Sequence, residues 1–435
     1  MPAFNRRRCL GLLARATVLP FAAAPFAARA DAGLIRIIVA YPPGGVADAT
    51  ARLLADQLAQ RLVEQQSLPA LEQAPFDGRE IALTQRSATL MREMGLWQRI
   101  EAMEPAAFSP LRDARVFNGE SPFSMQISHR LTRRDELGWL VSNYLIRRAA
   151  LAEVQAVASA HGRITLLTGQ AATQVRCGAE GAQLTLADGA THTARLLVAA
   201  DSRFSATRRA VGIAARQNDF GRSMLVCQIT HEVPHEHTAW EWFDYGQTLA
   251  LLPMNDDPAT GMPRASAVLT LPHQGIEAMM ALDEAAFGQN MTRRFHGRLG
   301  EVRLNSTRHV YPLVGVMPRR LVAPRFACVG DAAVGMHPVT AHGFNFGLLS
   351  IDTLAEELRT AHASGKDIGS PDLLARYERR HMLATRPLYE VTKLIATLYT
   401  TEAAPAKLLR NAALHLGQRF TPFRKLVAAS LTGSL

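Results

Sequence analysis

The chain has 435 residues, an apolar share of 48% and a formal charge of +10. That length supplies two cores and predicts two or three domains, and the apolar share is that of a globular protein. Cys9, Cys177, Cys227 and Cys328 are scattered without metal-ligand or pairing spacing, and no basic run is interleaved with aromatics, which sets metal chemistry and nucleic acid aside.

Arg6, Arg7 and Arg8 precede an apolar stretch over 9–28, and Ala28, Arg29 and Ala30 offer small residues at a cleavage position. Residues 1–30 therefore read as a secretory leader, with an ordinary buried helix as the alternative. Residues 35–39 follow as a strand, 47–58 as a helix and 60–64 as a short second strand. Helices are predicted over 87–103 and 135–160, and strands over 164–167, 183–186 and 196–199, with Asp188 and Gly189 as a hairpin turn. Segments 223–233, 238–253, 264–272 and 301–312 are rich in Val, Thr, Leu and aromatics and predict an antiparallel sheet. Residues 275–299 supply a helix or two, and after Asp331 the chain reads as mostly helical. Beyond the leader no apolar stretch approaches the roughly 18–20 residues that cross a bilayer.

The most informative stretch is 325–348. An apolar run ends in Gly330 and Asp331, small residues follow, and Pro338 turns the chain toward Gly343, Phe344, Asn345 and Gly347 before a helical pattern through Leu349, Leu354 and Leu358. A strand, a carboxylate, a tight glycine loop and a helix N-terminus arrive in order. That order suits a ligand needing one hydroxyl acceptor and a cluster of backbone N–H donors. The stretch resembles the second flavin-binding motif of the FAD-dependent aromatic hydroxylases. Within that superfamily it is similar to the ubiquinone-biosynthesis hydroxylases, most of all to the 5-demethoxyubiquinol 5-hydroxylase branch through Thr340, Ala341, His342, Gly343, Phe344 and Asn345.

Four further segments carry the resemblance, which spans roughly residues 62–435. They are the end of the second strand at Leu62–Glu64, the Asp77, Gly78, Arg79 stretch to Thr84, the helix within 134–151, and Asp201 to Arg208. The resemblance implies that Asp331 accepts a ribityl hydroxyl, that Gly343, Asn345 and Gly347 let a helix start approach the flavin's pyrimidine edge, and that Gly330, Pro338 and Phe344 also belong to the cofactor site. It implies that Arg79 lies against the flavin or its phosphates and that Asn143 stands near the isoalloxazine. Glu64 would take the ribose hydroxyls, and Asp201 would hold pyrophosphate or steer NAD(P)H. Each has a plainer alternative: a cap for Asp331 and a surface ion pair for Arg79. His337 and His342 read as loop-packing or substrate-edge residues.

The first unit departs from the pattern. Counting back from Glu64 puts the Gly-x-Gly-x-x-Gly positions near Tyr41, Pro43 and Val46, and none is glycine; Gly44 and Gly45 are out of step. A side chain at the second position blocks the backbone's approach to a pyrophosphate, and one at the third separates helix from strand. Residues 31–61 resemble the mature N-terminus of periplasmic substrate-binding proteins of tripartite tricarboxylate transporters. Either this segment completes the sheet with a damaged phosphate site, or a fusion or splice replaced the original βα unit.

The expected fold is α/β, a Rossmann-like FAD-binding domain with an atypical first βα unit, an antiparallel-sheet substrate domain and a helical C-terminus. The division is 1–30 leader, 31–61 substitute segment, 62–212 and 321–390 FAD-binding domain, 213–320 substrate domain and 391–435 basic amphipathic tail. The implied activity is an FAD-dependent monooxygenase that uses NAD(P)H and O2 to hydroxylate the ring of a prenylated quinol or phenol. The alternatives are a periplasmic tricarboxylate-type binding protein and an inactive flavoprotein remnant. Phe204, Phe220, Trp240, Trp242, Phe243 and Tyr245 either line an aromatic pocket in the sheet that would roof the flavin or form a plain sheet core. The tail either lies on an anionic membrane or docks on its own domain. The resemblance implies an enzyme in the cytoplasm at the inner membrane, with the membrane surface or a ubiquinone-biosynthesis complex as partner; the leader alone would place it in the periplasm.

Overall fold

The computed structural model describes residues 36–41, 59–119, 121, 123–244, 246–337, 342–400 and 414–433. The predicted leader, the 47–58 helix, Pro43 to Val46, Tyr245, Pro338, Thr340 and Ala341 lie outside the described residues.

β1 (Arg36–Tyr41) and β2 (Ala59–Glu64) run parallel, with Tyr41 opposite Glu64. α1 (Leu68–Gln73) leads to β3 (Glu80–Thr84), α2 (Gln85–Glu93) and α3 (Leu96–Met103). The expected single helix over 87–103 is thus two. Gly95 at φ +76° breaks it, a backbone angle that glycine adopts without strain. Three short strands follow that periodicity alone did not show: β4 (Ser109–Leu111), β5 (Asp113–Asn118) and β6 (Ser124–Ser128). The helix expected over 135–160 is instead β7 (Gly138–Ser142) followed by α4 (Asn143–His161). Gly138 explains the difference, because any Cβ there would stand 2.1 Å from the Leu83 carbonyl oxygen of the neighbouring strand.

β8 (Ile164–Thr168), β9 (Ala172–Cys177), β10 (Ala182–Leu186), β11 (Thr191–Ala194) and β12 (Leu196–Ala199) come next, then the short α5 (Ala206–Ala210). The long β13 (Ala215–His231) carries the chain into the second sheet with β14 (Thr238–Asp244), β15 (Gln247–Pro253) and β16 (Arg264–Pro272). α6 (His273–Ala281) and α7 (Glu284–Arg294) cover that sheet, and β17 (Val302–Leu304) and β18 (His309–Pro318) return to it. The chain ends through β19 (Val322–Ala323), β20 (Phe326–Cys328), α8 (Gly343–Ala363), α9 (Pro371–Thr400) and α10 (Thr421–Thr432).

Among the described residues a six-stranded sheet has the order β19–β20–β12–β1–β2–β8, parallel except for β19. β12 is buried at all four positions, as a strand covered on both faces must be. β1 stands at the centre of this sheet, so residues 36–41 do complete it. The eight-stranded sheet β17–β13–β16–β15–β14–β5–β6, with β18 also on β13, has a core of its own around Trp242, Phe287 and Phe295. β3, β7 and β4 form a small antiparallel sheet, and β9, β10 and β11 another. Among the described residues no helix is long and apolar enough to cross a membrane.

Of the tail, α10 packs on its own chain. Ala428, with Val427 and Leu431, lies on Met125 and Ile127 of β6 and on Leu111 of β4, and Ser430 meets His342 at 3.2 Å. The aromatic cluster also resolves: Trp242 and Phe243 are buried and Trp240 packs on the sheet core, while Phe204 is exposed and Phe220 lies edge-on to His337. The described members of the cluster are mostly sheet core.

Candidate active site

Three of the predicted segments converge at the C-terminal ends of the parallel strands, where open α/β sheets take their ligands. After β20 the chain turns at Gly330, φ +61°, into a single helical turn carrying Asp331. Gly330 donates its N–H to Ser350 Oγ at 2.9 Å, and Ser350 donates to the Gly347 carbonyl at 2.6 Å. One buried hydroxyl thus joins the strand end to the first turns of α8. The Asp331 carboxylate is partly exposed and accepts from Arg203 Nη2 at 3.2 Å. Arg203 also donates to the Val314 carbonyl, and the fully buried Arg208 donates to the Arg203 and Ala332 carbonyls, which fixes the turn from behind.

α8 begins at Gly343, with no acidic side chain in its first turn. Its opening N–H groups have no carbonyl within their own helix, and the dipole there favours negative charge. Among the described residues, setting aside its chain neighbours and its own helix, nothing lies within 4 Å of where a Gly343 Cβ would stand. Asn345 is buried and faces β3: its Oδ1 accepts from the Thr84 N–H at 3.0 Å and its Nδ2 donates to the Ala82 carbonyl at 2.8 Å.

At the start of β3, Asp77 Oδ2 accepts from Arg79 Nη2 at 2.6 Å and from Asn143 Nδ2 at 2.8 Å. Asn143 N–H in turn donates to the Arg79 carbonyl, and Tyr311 donates its hydroxyl to the Asp77 carbonyl with its ring 5.3 Å from the Arg79 guanidinium. The structure therefore brings Arg79 and Asn143 together through Asp77, a residue the sequence marked only as part of a turn. Glu64 is fully buried at the end of β2, where Oε1 accepts the Gln66 N–H at 2.6 Å. Asp201 caps α5, accepting from the Ser205 hydroxyl and the Thr207 N–H. Ser202 takes φ +147°, a backbone region that glycine enters more readily than a residue with a Cβ. Burial pushes His337 down to about 4, so its imidazole is neutral.

Beside the Arg79–Asn143 group lies a cavity of about 310 Å³ whose lining includes Glu80, Glu104, Ser109, Tyr144, Gln228 and Arg264. Glu80 Oε1 accepts from Ser142 Oγ at 2.7 Å and Gln228 Nε2 at 3.0 Å. Burial raises its carboxyl to about 7, against the smaller opposing pull of those two hydrogen bonds and of Arg264. Tyr144, which donates to Glu104 at 3.2 Å, is pushed up to about 12, chiefly by burial. None of these cavity residues stood out in the sequence. Glu80 and Gln228 are single polar positions within strands, and only the packing of the small sheet on the large one brings them together.

A family model described as FAD binding domain matches residues 38–390. The chain is 41% identical over 401 residues to the ubiquinone hydroxylase UbiM of Neisseria meningitidis, covering 91% of this chain and 84% of that one. It is 32% identical to the ubiquinone hydroxylase UbiL of Rhodospirillum rubrum over 96% and 93% of the two chains. The chain belongs to the FAD-dependent aromatic hydroxylases of ubiquinone biosynthesis. Among solved structures, p-nitrophenol 4-monooxygenase PnpA from Pseudomonas putida superposes with a TM-score of 0.70 at 14% identity over 92% and 98% of the chains. PqsL of P. aeruginosa in complex with 2-aminobenzoylacetate gives 0.68 at 18% over 89% and 99%. These share the fold. The periplasmic-binding-protein alternative is displaced, because the FAD-binding-domain match begins within β1 and runs into α9.

This hydroxylase is an FAD-dependent monooxygenase with NAD(P)H as reductant. The described residues fit the flavin. A helix start without acidic side chains, an outward carboxylate at a strand end and the Arg79 guanidinium held by Asp77 supply complementary donors and acceptors for a polar tricycle and its ribityl chain.

Proposed function

We propose that the chain hydroxylates the aromatic ring of a ubiquinone precursor lodged in the cavity between β3/β7 and β13/β16, beside flavin held by Asp331 and the start of α8. The observation that carries this reading is the double tie of α8: Ser350 fastens it to Gly330 and Asn345 fastens it to Ala82 and Thr84. Bound flavin, reduced by NAD(P)H, supplies activation of O2 and transfer of a hydroxyl to an electron-rich ring.

The chain's own groups hold and orient. Asp331 accepts a ribityl hydroxyl, and the Gly343 and Phe344 N–H groups, with the α8 dipole, favour negative charge at the pyrimidine edge. Arg79, set by Asp77, lies against the flavin, with Asn143 beside it. Glu64 serves the adenosine ribose and Asp201 keeps the loop before α5 in shape. Phe76, Leu140 and Met254 give the cavity apolar walls that exclude water from the reacting ring. Residues 62–212 and 321–390 then serve the cofactor and 213–320 the substrate.

The test is turnover of the purified full chain, carrying flavin, with a short-tailed methoxyphenol precursor and NAD(P)H under isotopically heavy O2. Incorporation of one heavy oxygen into the ring is expected. NAD(P)H consumption that leaves the ring unlabelled would defeat the proposal.

Peripheral attachment to the cytoplasmic face of the inner membrane belongs to the same proposal. Leu383, Val391 and Leu394 share one outward face of α9, with Arg386 and Lys393 beside it, which suits an anionic bilayer surface. Flotation with phosphatidylglycerol vesicles, lost when Leu383 and Leu394 are changed to Glu, is the expected result.

A further inference from the structure

The cavity holds two polar atoms that the fold leaves open. Glu80 uses only one carboxylate oxygen: both Ser142 and Gln228 donate to Oε1, and Oε2 has no hydrogen-bond partner among the described residues. Ser109 is 3% exposed, lines the same cavity, and its Oγ also has no partner. Buried polar groups are normally satisfied, so two open ones on one cavity wall mark the place of a polar ligand. The apolar part of the lining, with Phe76, Leu140 and Met254, suits an aromatic ring.

We propose that Glu80 accepts the proton of a ring hydroxyl on a phenolic ligand bound in this cavity, through the carboxylate oxygen that Ser142 and Gln228 leave open. This rests on the reading of the cavity as the substrate site. In the step, the ring O–H bond breaks, its electron pair stays on the ring oxygen, and a new O–H bond forms on Glu80. The ring oxygen then feeds density to its ortho and para carbons, which are the positions an electrophilic oxygen attacks. The proton returns to the product oxygen when the ring is released.

The charged surroundings are set for such a transfer. Arg264 on β16 favours the carboxylate, while Asp77 before β3 opposes it; Glu104 after α3 and Tyr144 on α4 complete the ionisable groups of the cavity wall. Deep burial opposes the charge more strongly, and the balance leaves the group about half ionised near neutrality, where a general base works best.

Binding alone tests this, with the full chain and no reductant. The probes are 2-methoxyphenol and 1,2-dimethoxybenzene, which differ by the hydroxyl proton and stay neutral from about pH 5.5 to about pH 8.5. A phenol that donates to the carboxylate favours the ionised form, so its affinity rises with pH and levels off above the midpoint of the free group, about 7. We expect 2-methoxyphenol to bind about tenfold tighter at the upper pH than at the lower, and 1,2-dimethoxybenzene to show no change. Glu80→Gln should remove that rise and leave 1,2-dimethoxybenzene binding intact, which also reports that the cavity is formed. Should the variant lose both probes, Ser142→Ala serves instead. It removes a hydrogen bond that stabilises the charge, so the midpoint must move upward.

A pH-independent 2-methoxyphenol affinity in the unaltered chain, a rise that survives Glu80→Gln, or an unmoved midpoint in Ser142→Ala overturns the assignment. The two readings fail separately. Glu80-dependent phenol binding without ring labelling of the quinone precursor leaves the assignment standing and removes the substrate; labelling with pH-independent phenol binding does the reverse.

Discussion

Asn345 on α8 accepts the backbone N–H of Thr84 at 3.0 Å, a bond between residues 261 positions apart, and returns a hydrogen to the Ala82 carbonyl at 2.8 Å. Its amide thus replaces a strand partner at the end of β3, while the helix it sits on begins at Gly343, where we propose the flavin lies. Asn345→Leu leaves a buried N–H and C=O unpaired, each costing about 1–3 kcal/mol. The expected outcome is a loss of about 2–4 kcal/mol in urea unfolding together with flavin that dissociates on gel filtration. Normal flavin retention in the variant would show that the tie is structural only.

Ser350→Ala removes the hydroxyl between Gly330 and Gly347, and the Gly330 N–H then has no acceptor in a buried site. We expect about 1–3 kcal/mol lower stability. Flavin affinity should fall too, because the Asp331 turn loses its register with α8. Equilibrium dialysis against FAD checks this. A fall in stability with unchanged affinity would mean the turn holds without the hydroxyl.

Much of this site is readable in the residues because its parts are local. The Gly330–Asp331 turn and the Gly343 helix start lie within 14 positions, and the small residues there allow close backbone approach. Other parts are legible only in three dimensions. Gly138 to Ser142 reads as the start of the helix that follows, because its apolar residues continue a helical pattern; pairing with β3 makes it a strand. Glu80 carries no signal of its own, and its chemistry comes from Ser142 and from Gln228, 148 positions away. An amphipathic tail looks the same whether its partner is lipid or protein, and Met125 and Ile127, which decide the matter for α10, lie some 300 positions earlier.

Ser202 at φ +147° stores strain that a glycine would not. An L-residue in that region costs about 1–3 kcal/mol. Ser202→Gly gives up some unfolded-state restriction but relieves the strain, so a gain of about 1 kcal/mol in the urea midpoint is expected. A loss of stability would mean that the serine hydroxyl, which accepts from the Phe204 N–H at 3.2 Å, outweighs the backbone term.

Glu80 also sets how stability depends on pH. Its carboxyl rises from 4.5 to about 7 on folding, so between those values the folded state binds a proton that the unfolded chain has released. Its contribution is therefore fully present below about 4.5, falls as pH rises, and is gone above about 7. A shift of this size corresponds to about 3 kcal/mol. Glu80→Gln stays neutral throughout, so its stability relative to the unaltered chain should improve by up to that amount between about pH 5 and about pH 8. Urea unfolding at the two pH values measures the difference directly. Parallel curves for the two proteins would place the proton on another group of the cavity.

The docked tail makes a prediction about the site as well as the fold. Ala428 is 0% exposed against Met125 and Ile127, and two residues on, Ser430 meets His342, the residue that caps α8. Ala428→Glu forces a carboxylate into an apolar contact, which costs several kcal/mol unless the helix leaves. We expect α10 to leave, with loss of α10 protection in hydrogen exchange and the parallel sheet still protected. His342 then loses the Ser430 hydroxyl, and exchange at Gly343 and Phe344 should quicken with a drop in flavin affinity. If the tail detaches while the α8 start and flavin binding are unchanged, α10 is packing alone and the helix start is held by Asn345 and Ser350 without it.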